Sequence, residues 1–208
     1  MHTTYVLVHG AWYGAWAWDR LTPLLRATGA DVITPELSGH GGLHEHADEV
    51  AAALPDSGRT VLVGHSYAGL VVRQAADLRP DAVSRLALIE GWAGGDGASL
   101  FGLAPESFET AIRGLAVGDL IPPPPPETFG LEQDYAQKLR PQPLRSFAEP
   151  TRLTGAVDAI EGIAVYCRPQ RYPFDRFAGE LGYESFALDG PHDLMHARPD
   201  AVAELLIR

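Results

Sequence analysis

Val61-Leu62-Val63-Gly64-His65-Ser66-Tyr67-Ala68-Gly69-Leu70-Val71-Val72 is the stretch on which the reading of this chain turns. Val61 to Val63 form a short continuous apolar run of the kind that suits a strand buried on both faces. A small-x-Ser-x-small turn follows, and then an apolar stretch compatible with a helix. Gly64 and Ala68 let the backbone close tightly around Ser66. That bend lifts the serine hydroxyl above the sheet edge and aims the N-terminus of the next helix at it, as a nucleophile requires. The strict form of the pattern carries a second glycine where this chain has Ala68, a departure that keeps the residue small. An ordinary turn serine ahead of a helix is the plainer alternative, and the rest of the chain has to decide between the two.

Outward from that stretch, strands alternate with helices. Thr4-Tyr5-Val6-Leu7-Val8, Asp31-Val32-Ile33-Thr34, Arg59 to Val63, Arg85-Leu86-Ala87-Leu88-Ile89, Ile163 to Cys167 and Glu184-Ser185-Phe186-Ala187-Leu188 make six short runs. Amphipathic stretches lie between them: Trp18, Leu21, Leu24 and Leu25 near residues 17–28; Val50, Ala53 and Leu54; Leu70 through Leu78; and Val202, Leu205 and Leu206 behind Pro199. This βαβ rhythm predicts an α/β fold with a doubly wound, mostly parallel sheet of about six strands in a single domain, residues 1–208. The rhythm breaks from about Gly94 to Thr154, where no strand is evident. That region holds a short helix at Ser107–Arg113 with Ser107 as its cap, five prolines from Pro122 to Pro126 in an extended segment, and a further helix around Leu131–Leu139. Phe101, Phe108, Phe129, Tyr135 and Phe147 make this a segment that packs rather than a free linker, so residues 94–154 are expected to form a helical lid over the strand ends.

Bulk properties bound the function. The 208 residues carry 27 acidic against 16 basic side chains, a formal net charge of −11, which disfavours nucleic acid and anionic membrane surfaces as partners. A small-molecule substrate is expected, with the chain acting as a monomer or homodimer. Cys167 is the single cysteine, so no intramolecular disulfide is possible, and its apolar surroundings suggest core packing. No stretch approaches the roughly 20 apolar residues of a membrane span, and the N-terminus enters a strand with no leader pattern. The expected location is cytoplasmic.

A serine hydroxyl needs a base. His192, in Leu188-Asp189-Gly190-Pro191-His192-Asp193, directly follows the last strand and precedes the terminal helix, where a base reaches the nucleophile turn; His196 is its near competitor. His9-Gly10-Ala11-Trp12 ends the first strand. There an amide from Ala11, together with that of Tyr67, would form a two-donor oxyanion hole. His9 is read as support for that loop, and Ser38-Gly39-His40-Gly41 as a turn shaping the same rim. Trp12, Tyr13, Trp16 and Trp92 are candidates for the acyl pocket, although core packing accounts equally well for Trp16 and Trp18. Phe101, Phe108 and Phe129 would add to the pocket from the lid.

Taken as an ordered set, Leu7-Val8-His9-Gly10-Ala11-Trp12, Ser38-Gly39-His40-Gly41, the serine turn and Gly190-Pro191-His192 resemble the α/β-hydrolase superfamily, and most of all its small esterase and methylesterase branch, which also includes hydroxynitrile lyases. The resemblance covers the whole chain and implies that the two N-terminal strands common in that superfamily are absent here. It also implies an acid after the fifth strand, shortly beyond Cys167, where this chain has Gln170 instead. A neutral amide cannot stabilise an imidazolium as a carboxylate does. Glu90, after the strand Arg85–Ile89, is favoured as the substitute, because members similar to zearalenone lactonases place their acid there. Asp175 is the second candidate, and a triad without an acid the third.

The leading expectation is a cofactor-free serine hydrolase cleaving a small, largely apolar ester or lactone through Ser66, His192 and Glu90. Hydroxynitrile lyase chemistry is weaker, because Asp193 stands where that branch has a lysine. A thioesterase- or cyclase-like tailoring enzyme of secondary metabolism remains open, as does a catalytically feeble ligand-binding protein of the same fold. His44, His46 and Asp48 lack a further ligand for a metal site, and Gly39, Gly41 and Gly42 do not form a phosphate-binding fingerprint. No metal is expected.

Overall fold

The computed structural model describes residues 2–208. Eight strands appear in chain order: β1 (Thr3–Val8), β2 (Asp31–Ile33), β3 (Arg59–His65), β4 (Arg85–Ile89), β5 (Leu120–Ile121), β6 (Gln142–Pro143), β7 (Gly162–Arg168) and β8 (Glu184–Asp189). Six of them build one parallel sheet in the order β2-β1-β3-β4-β7-β8. The helices are α1 (Thr22–Arg26), α2 (Leu43–Ala53), α3 (Ala68–Leu78), α4 (Leu100–Leu103), α5 (Glu106–Leu115), α6 (Leu144–Ala148), α7 (Phe174–Glu180), α8 (Leu194–Ala197) and α9 (Pro199–Ile207). The chain steps outward from β1 to β2, then back across to β3 and on to β8. Right-handed crossovers therefore put α1 on one face and α2 and α3 on the other. The packing agrees, since α1 contacts α9 and α2 contacts α3.

Central strands β1, β3 and β4 are buried on both faces, which is why they read as unbroken apolar runs. The edges differ from that expectation. β2 and β8 each have only one sheet neighbour, and no residue of β8 is fully buried: its ends are exposed and Phe186 to Leu188 are half-buried. Register sets the site. Val8 pairs with Gly64, His65 with Ile89, Ile89 with Val165, and Arg168 with Asp189. The residues just past these pairs emerge side by side at one rim, the carboxyl end of the sheet.

Three local expectations are corrected. The stretch 17–28 is not one helix: a 3-10 turn at Ala15–Trp18 precedes α1, whose first turn holds Pro23. Helix α5 is capped at Pro105, with Ser107 inside its first turn, while the further helix is a 3-10 helix at Gln133–Lys138. The segment 94–154 is not strand-free, because β5 and β6 pair antiparallel. Two residues per strand, one of them Pro143, leave no alternation to read in the sequence. No helix among the described residues is long and apolar enough to cross a membrane.

Candidate active site

Between β3 and α3 the chain turns within three residues, and Ser66 takes the left-handed conformation, φ 53°. A side chain on Gly64 would lie 2.6 Å from the Ala68 carbonyl oxygen, so only glycine lets the strand pass this close to the helix. Ser66 N–H donates to Ile89 O at 3.1 Å, and Ser66 O accepts from Trp92 N–H at 3.0 Å, which ties the turn to the end of β4. Gly10 matters for the same reason: a Cβ there would meet His65 Nδ1 and Ser66 Cβ at 3.0 Å. The loop after β1 is thereby brought against the serine. Neither the Ala11 N–H nor the Tyr67 N–H donates to any described residue, and both residues face the cavity that holds Ser66. Two buried amides without partners, on either side of a serine, are the arrangement an oxyanion would fill.

Glu90 follows β4 in the same left-handed region, φ 51°, with its N–H on Val165 O at 2.8 Å. The turn throws its side chain inward, where it is 1% exposed. His192 Nδ1 lies 2.9 Å from Glu90 Oε2. Cys167 donates twice to the same carboxylate, from its N–H to Oε1 at 2.6 Å and from its thiol to Oε2 at 3.2 Å. Because a carboxylate only accepts, Nδ1 of His192 carries the proton and Nε2 keeps its lone pair. His192 is braced through its carbonyl, which accepts from His65 Nε2 at 3.4 Å, and its ring lies against Phe174 and Phe129. Burial pushes the His65 ring well below the usual histidine range, so it serves as a neutral donor. Among the described residues, Ser66 Oγ and His192 Nε2 have no hydrogen-bond partner, a state common before substrate binds.

Cys167 is buried, as expected of a core residue, but it also touches the cavity and holds the carboxylate. Burial, reinforced by Glu90, pushes its thiol up to about 12, so it remains a protonated donor. The other acid candidates lie elsewhere. Asp175 is exposed in the first turn of α7. Asp193 turns away from the cavity and accepts from Tyr13 OH at 2.7 Å, and burial raises it to about 6. His196 is buried against Trp16 and Tyr135, outside the cavity.

The cavity has a volume of about 540 Å³. Trp12, Trp92, Phe108 and Phe129 line it, together with Leu100, Ile112 and Phe147, so residues of the segment between β4 and β7 wall the space over Ser66. Phe101 does not line it. It sits one layer back, its ring 5.7 Å from Phe147 and capped by the Arg113 guanidinium. Tyr13, Trp16 and Trp18 also belong to the packing behind the site, and Trp18 is fully buried. The Ser38–Gly41 turn lies away from the cavity, where Ser38 O accepts from His46 and His40 O from Arg145. His9 Nε2 accepts from Leu37 N–H at 3.1 Å and so braces the loop after β1. Among the described residues no group of three or more His, Cys, Asp or Glu side chains is arranged to hold a metal ion. His44 pairs with Gln74 and His46 with Tyr67.

Comparison with known proteins gives three findings. The model of the alpha/beta hydrolase family matches residues 5–205. A carbendazim hydrolyzing esterase from Nocardioides sp. (strain SG-4G) is 27% identical over 236 aligned positions, which cover 97% of each chain, and polyneuridine aldehyde esterase of Rauvolfia serpentina is 36% identical over 93 residues, covering 38% of this chain and 35% of that enzyme. Among solved structures, an extracellular alpha/beta-hydrolase from a Paenibacillus species, described as sharing structural and functional homology with tobacco salicylic acid binding protein 2, superposes with a TM-score of 0.86 at 24% identity over 99% of this chain and 98% of that one.

Proposed function

The chain belongs to the alpha/beta hydrolase family, and from that premise we propose that it is a serine esterase acting on small, largely apolar carboxylic esters or lactones. Ser66 Oγ attacks the ester carbonyl and passes its proton to His192 Nε2. Glu90, on the opposite nitrogen, holds the ring in the reactive tautomer and stabilises the imidazolium that forms. The Ala11 and Tyr67 amides receive the carbonyl oxygen as it becomes an oxyanion. His192 then gives its proton to the departing alkoxide, and water, activated by the same nitrogen, releases the acid and restores Ser66. No cofactor is needed for these steps. The segment between β4 and β7 acts as a lid whose aromatic side chains enclose the acyl and alcohol groups.

The observation that carries this reading is the 2.9 Å contact of a buried carboxylate with the far nitrogen of His192, in the same cavity as Ser66. A pocket that only bound a ligand would have no use for a buried charge fixed by three donors. The esterases among the relatives support the reaction class. The test is hydrolysis of a panel of p-nitrophenyl esters and trapping by a fluorophosphonate. Ser66→Ala should lower turnover by at least about 10³-fold and abolish trapping while leaving the melting temperature in place. Undiminished hydrolysis by purified Ser66→Ala protein would end the proposal.

A further inference from the structure

The segment between β4 and β7 does more than wall the cavity: it holds Trp12, the residue after Ala11, at three polar points. Trp12 N–H donates to Gln142 Oε1 at 3.3 Å, Trp12 O accepts from Arg140 N–H at 2.8 Å, and the indole N–H donates to Ile121 O at 3.2 Å. Trp12 needs such restraint because it sits at φ 69°, a conformation that an aromatic residue adopts only when its surroundings impose it. The relaxed alternative is a flip of the Ala11–Trp12 peptide. That would turn the Ala11 carbonyl to where the Trp12 N–H now points and release the loop carrying the Ala11 amide from its tie to Gln142.

Gln142 selects against the flip, and its own orientation is fixed. Ser146, fully buried, gives its hydroxyl proton to Pro143 O at 2.6 Å, so toward Gln142 it can only accept. It accepts from Gln142 Nε2 at 2.7 Å. The amide oxygen of Gln142 must then face Trp12, where it welcomes an N–H and repels a carbonyl. The same segment reaches the other half of the oxyanion hole. Ser146 adjoins the Tyr67 phenol, and Phe147 packs on both the Tyr67 and Trp12 rings, with centroids 5.7 and 5.6 Å apart. On its far side Tyr67 OH is held by His46 Nδ1 at 2.9 Å, and His46 Nε2 by Ser38 O at 2.9 Å. His46 must donate from Nε2 to that carbonyl, so its Nδ1 accepts from the phenol.

We propose that Gln142 is a positioning residue for catalysis: it locks the Ala11–Trp12 peptide, so that the oxyanion hole is assembled only while the segment between β4 and β7 is seated. The inference rests on the reading of Ser66 as nucleophile and of the Ala11 and Tyr67 amides as oxyanion donors. It makes enclosure of the substrate and readiness for chemistry a single event.

The test measures kcat and KM separately with p-nitrophenyl butyrate, alongside the inhibition constant of a trifluoromethyl ketone that mimics the tetrahedral intermediate. Gln142→Met keeps the bulk and loses the acceptor. It should lower kcat on the order of 10²-fold, with KM within about threefold, and weaken the ketone in parallel, as loss of one oxyanion donor does. Gln142→Glu keeps an acceptor toward Trp12 and, with the Ser146 hydroxyl turned from Pro143 O to donate to the new carboxylate oxygen, should recover part of that loss. Thr151→Val is the comparison for stability alone, because Thr151 joins the two ends of the segment to each other, through Gly95 O and Ala98 N–H, and leaves the contacts to Trp12 untouched. It should lower the melting temperature with little change in kcat. The inference is overturned if Gln142→Met and Gln142→Glu share the same kcat, if the loss falls on KM, or if Thr151→Val reproduces it. Loss of activity in Ser66→Ala with full kcat in Gln142→Met would remove this inference and leave the esterase reading intact. Full activity in Ser66→Ala would remove both.

Discussion

Replacing Glu90 with glutamine tests the site at its least conventional point, and the structure fixes what the amide must do. The two oxygens of Glu90 face different partners. Oε1 accepts the Cys167 N–H at 2.6 Å, and Oε2 faces His192 Nδ1 at 2.9 Å and the Cys167 thiol at 3.2 Å. A glutamine here can be placed two ways. With its NH2 toward the Cys167 amide, two donors would collide at 2.6 Å in a fully buried site. The NH2 must therefore take the Oε2 position and donate toward His192. The imidazole answers by moving its proton from Nδ1 to Nε2, which leaves no lone pair to receive the proton of Ser66. The equivalent change in a Ser-His-Asp triad costs on the order of 10⁴-fold in kcat, which corresponds to ~5.4 kcal/mol of transition-state stabilisation. Glu90→Gln should approach that loss while keeping the fold, because the carboxamide preserves shape and the Cys167 N–H bond. The assay is kcat/KM for p-nitrophenyl butyrate from pH 6 to 9, with circular dichroism to confirm folding. A folded variant within tenfold of wild type would refute the assignment of Glu90.

Other expectations follow from the same geometry. His192→Ala should be nearly as damaging as Ser66→Ala, and the double variant little worse than either, because members of one catalytic unit are not additive; steady-state kinetics on the three proteins would show additivity if the two act apart. Phe101→Ala should cost about 3–5 kcal/mol in urea unfolding, as for a buried aromatic, with substrate preference little changed, whereas Phe108→Ala should shift the preferred acyl or alcohol size; the reverse pattern would put Phe101 back in the pocket. Asp193 titrates near 6 in the folded chain because of burial, above an ordinary aspartate, so the folded state binds the extra proton. Its contribution to stability is fully present at low pH and falls as pH rises from about 4 to about 6, by up to ~3 kcal/mol. Burial lowers His9 and His196 to about 4, which acts in the opposite direction over the same range. The quantity to measure is therefore the difference in unfolding free energy between wild type and Asp193→Asn, and a difference independent of pH would contradict the assignment.

The sequence carried the sheet and the serine turn because both are local statements. An apolar run of three to five residues, a pair of small residues around Ser66 and a histidine just past the last strand each report on their own neighbourhood. The proposed acid was legible only through the resemblance to members that carry it after this strand, and the strand order supplies the physical reason. Glu90 and Gln170 are 80 positions apart, yet β4 and β7 are hydrogen-bonded neighbours, and Ile89 pairs with Val165. Either strand end can thus deliver a carboxylate to the same point beside His192. A glutamate on β4 covers the extra distance with one more methylene and a left-handed turn at φ 51°. Gln170 shows what relocation leaves behind, for its amide oxygen is buried without a partner among the described residues.

What the sequence could not show is how the wall segment engages the rim. Phe101 and Phe108 are seven positions apart in the same aromatic-rich stretch, and nothing in their spacing tells which faces the cavity and which lies behind Phe147. Gln142 and Ser146 give no signal at all, being ordinary polar residues between prolines whose meaning lies in Trp12, 130 positions earlier. The common feature is backbone strain. The three non-glycine residues at positive φ among those described are Trp12, Ser66 and Glu90, one beside the proposed oxyanion donor, one the proposed nucleophile and one the proposed acid. Each costs of order 1–3 kcal/mol on its own, and each is held by hydrogen bonds from a different element: the wall segment at Trp12, β4 at Ser66 and β7 at Glu90. Those restraints are what a chain read one residue at a time conceals. Relieving one of them without changing a reacting group should cost rate before it costs the fold.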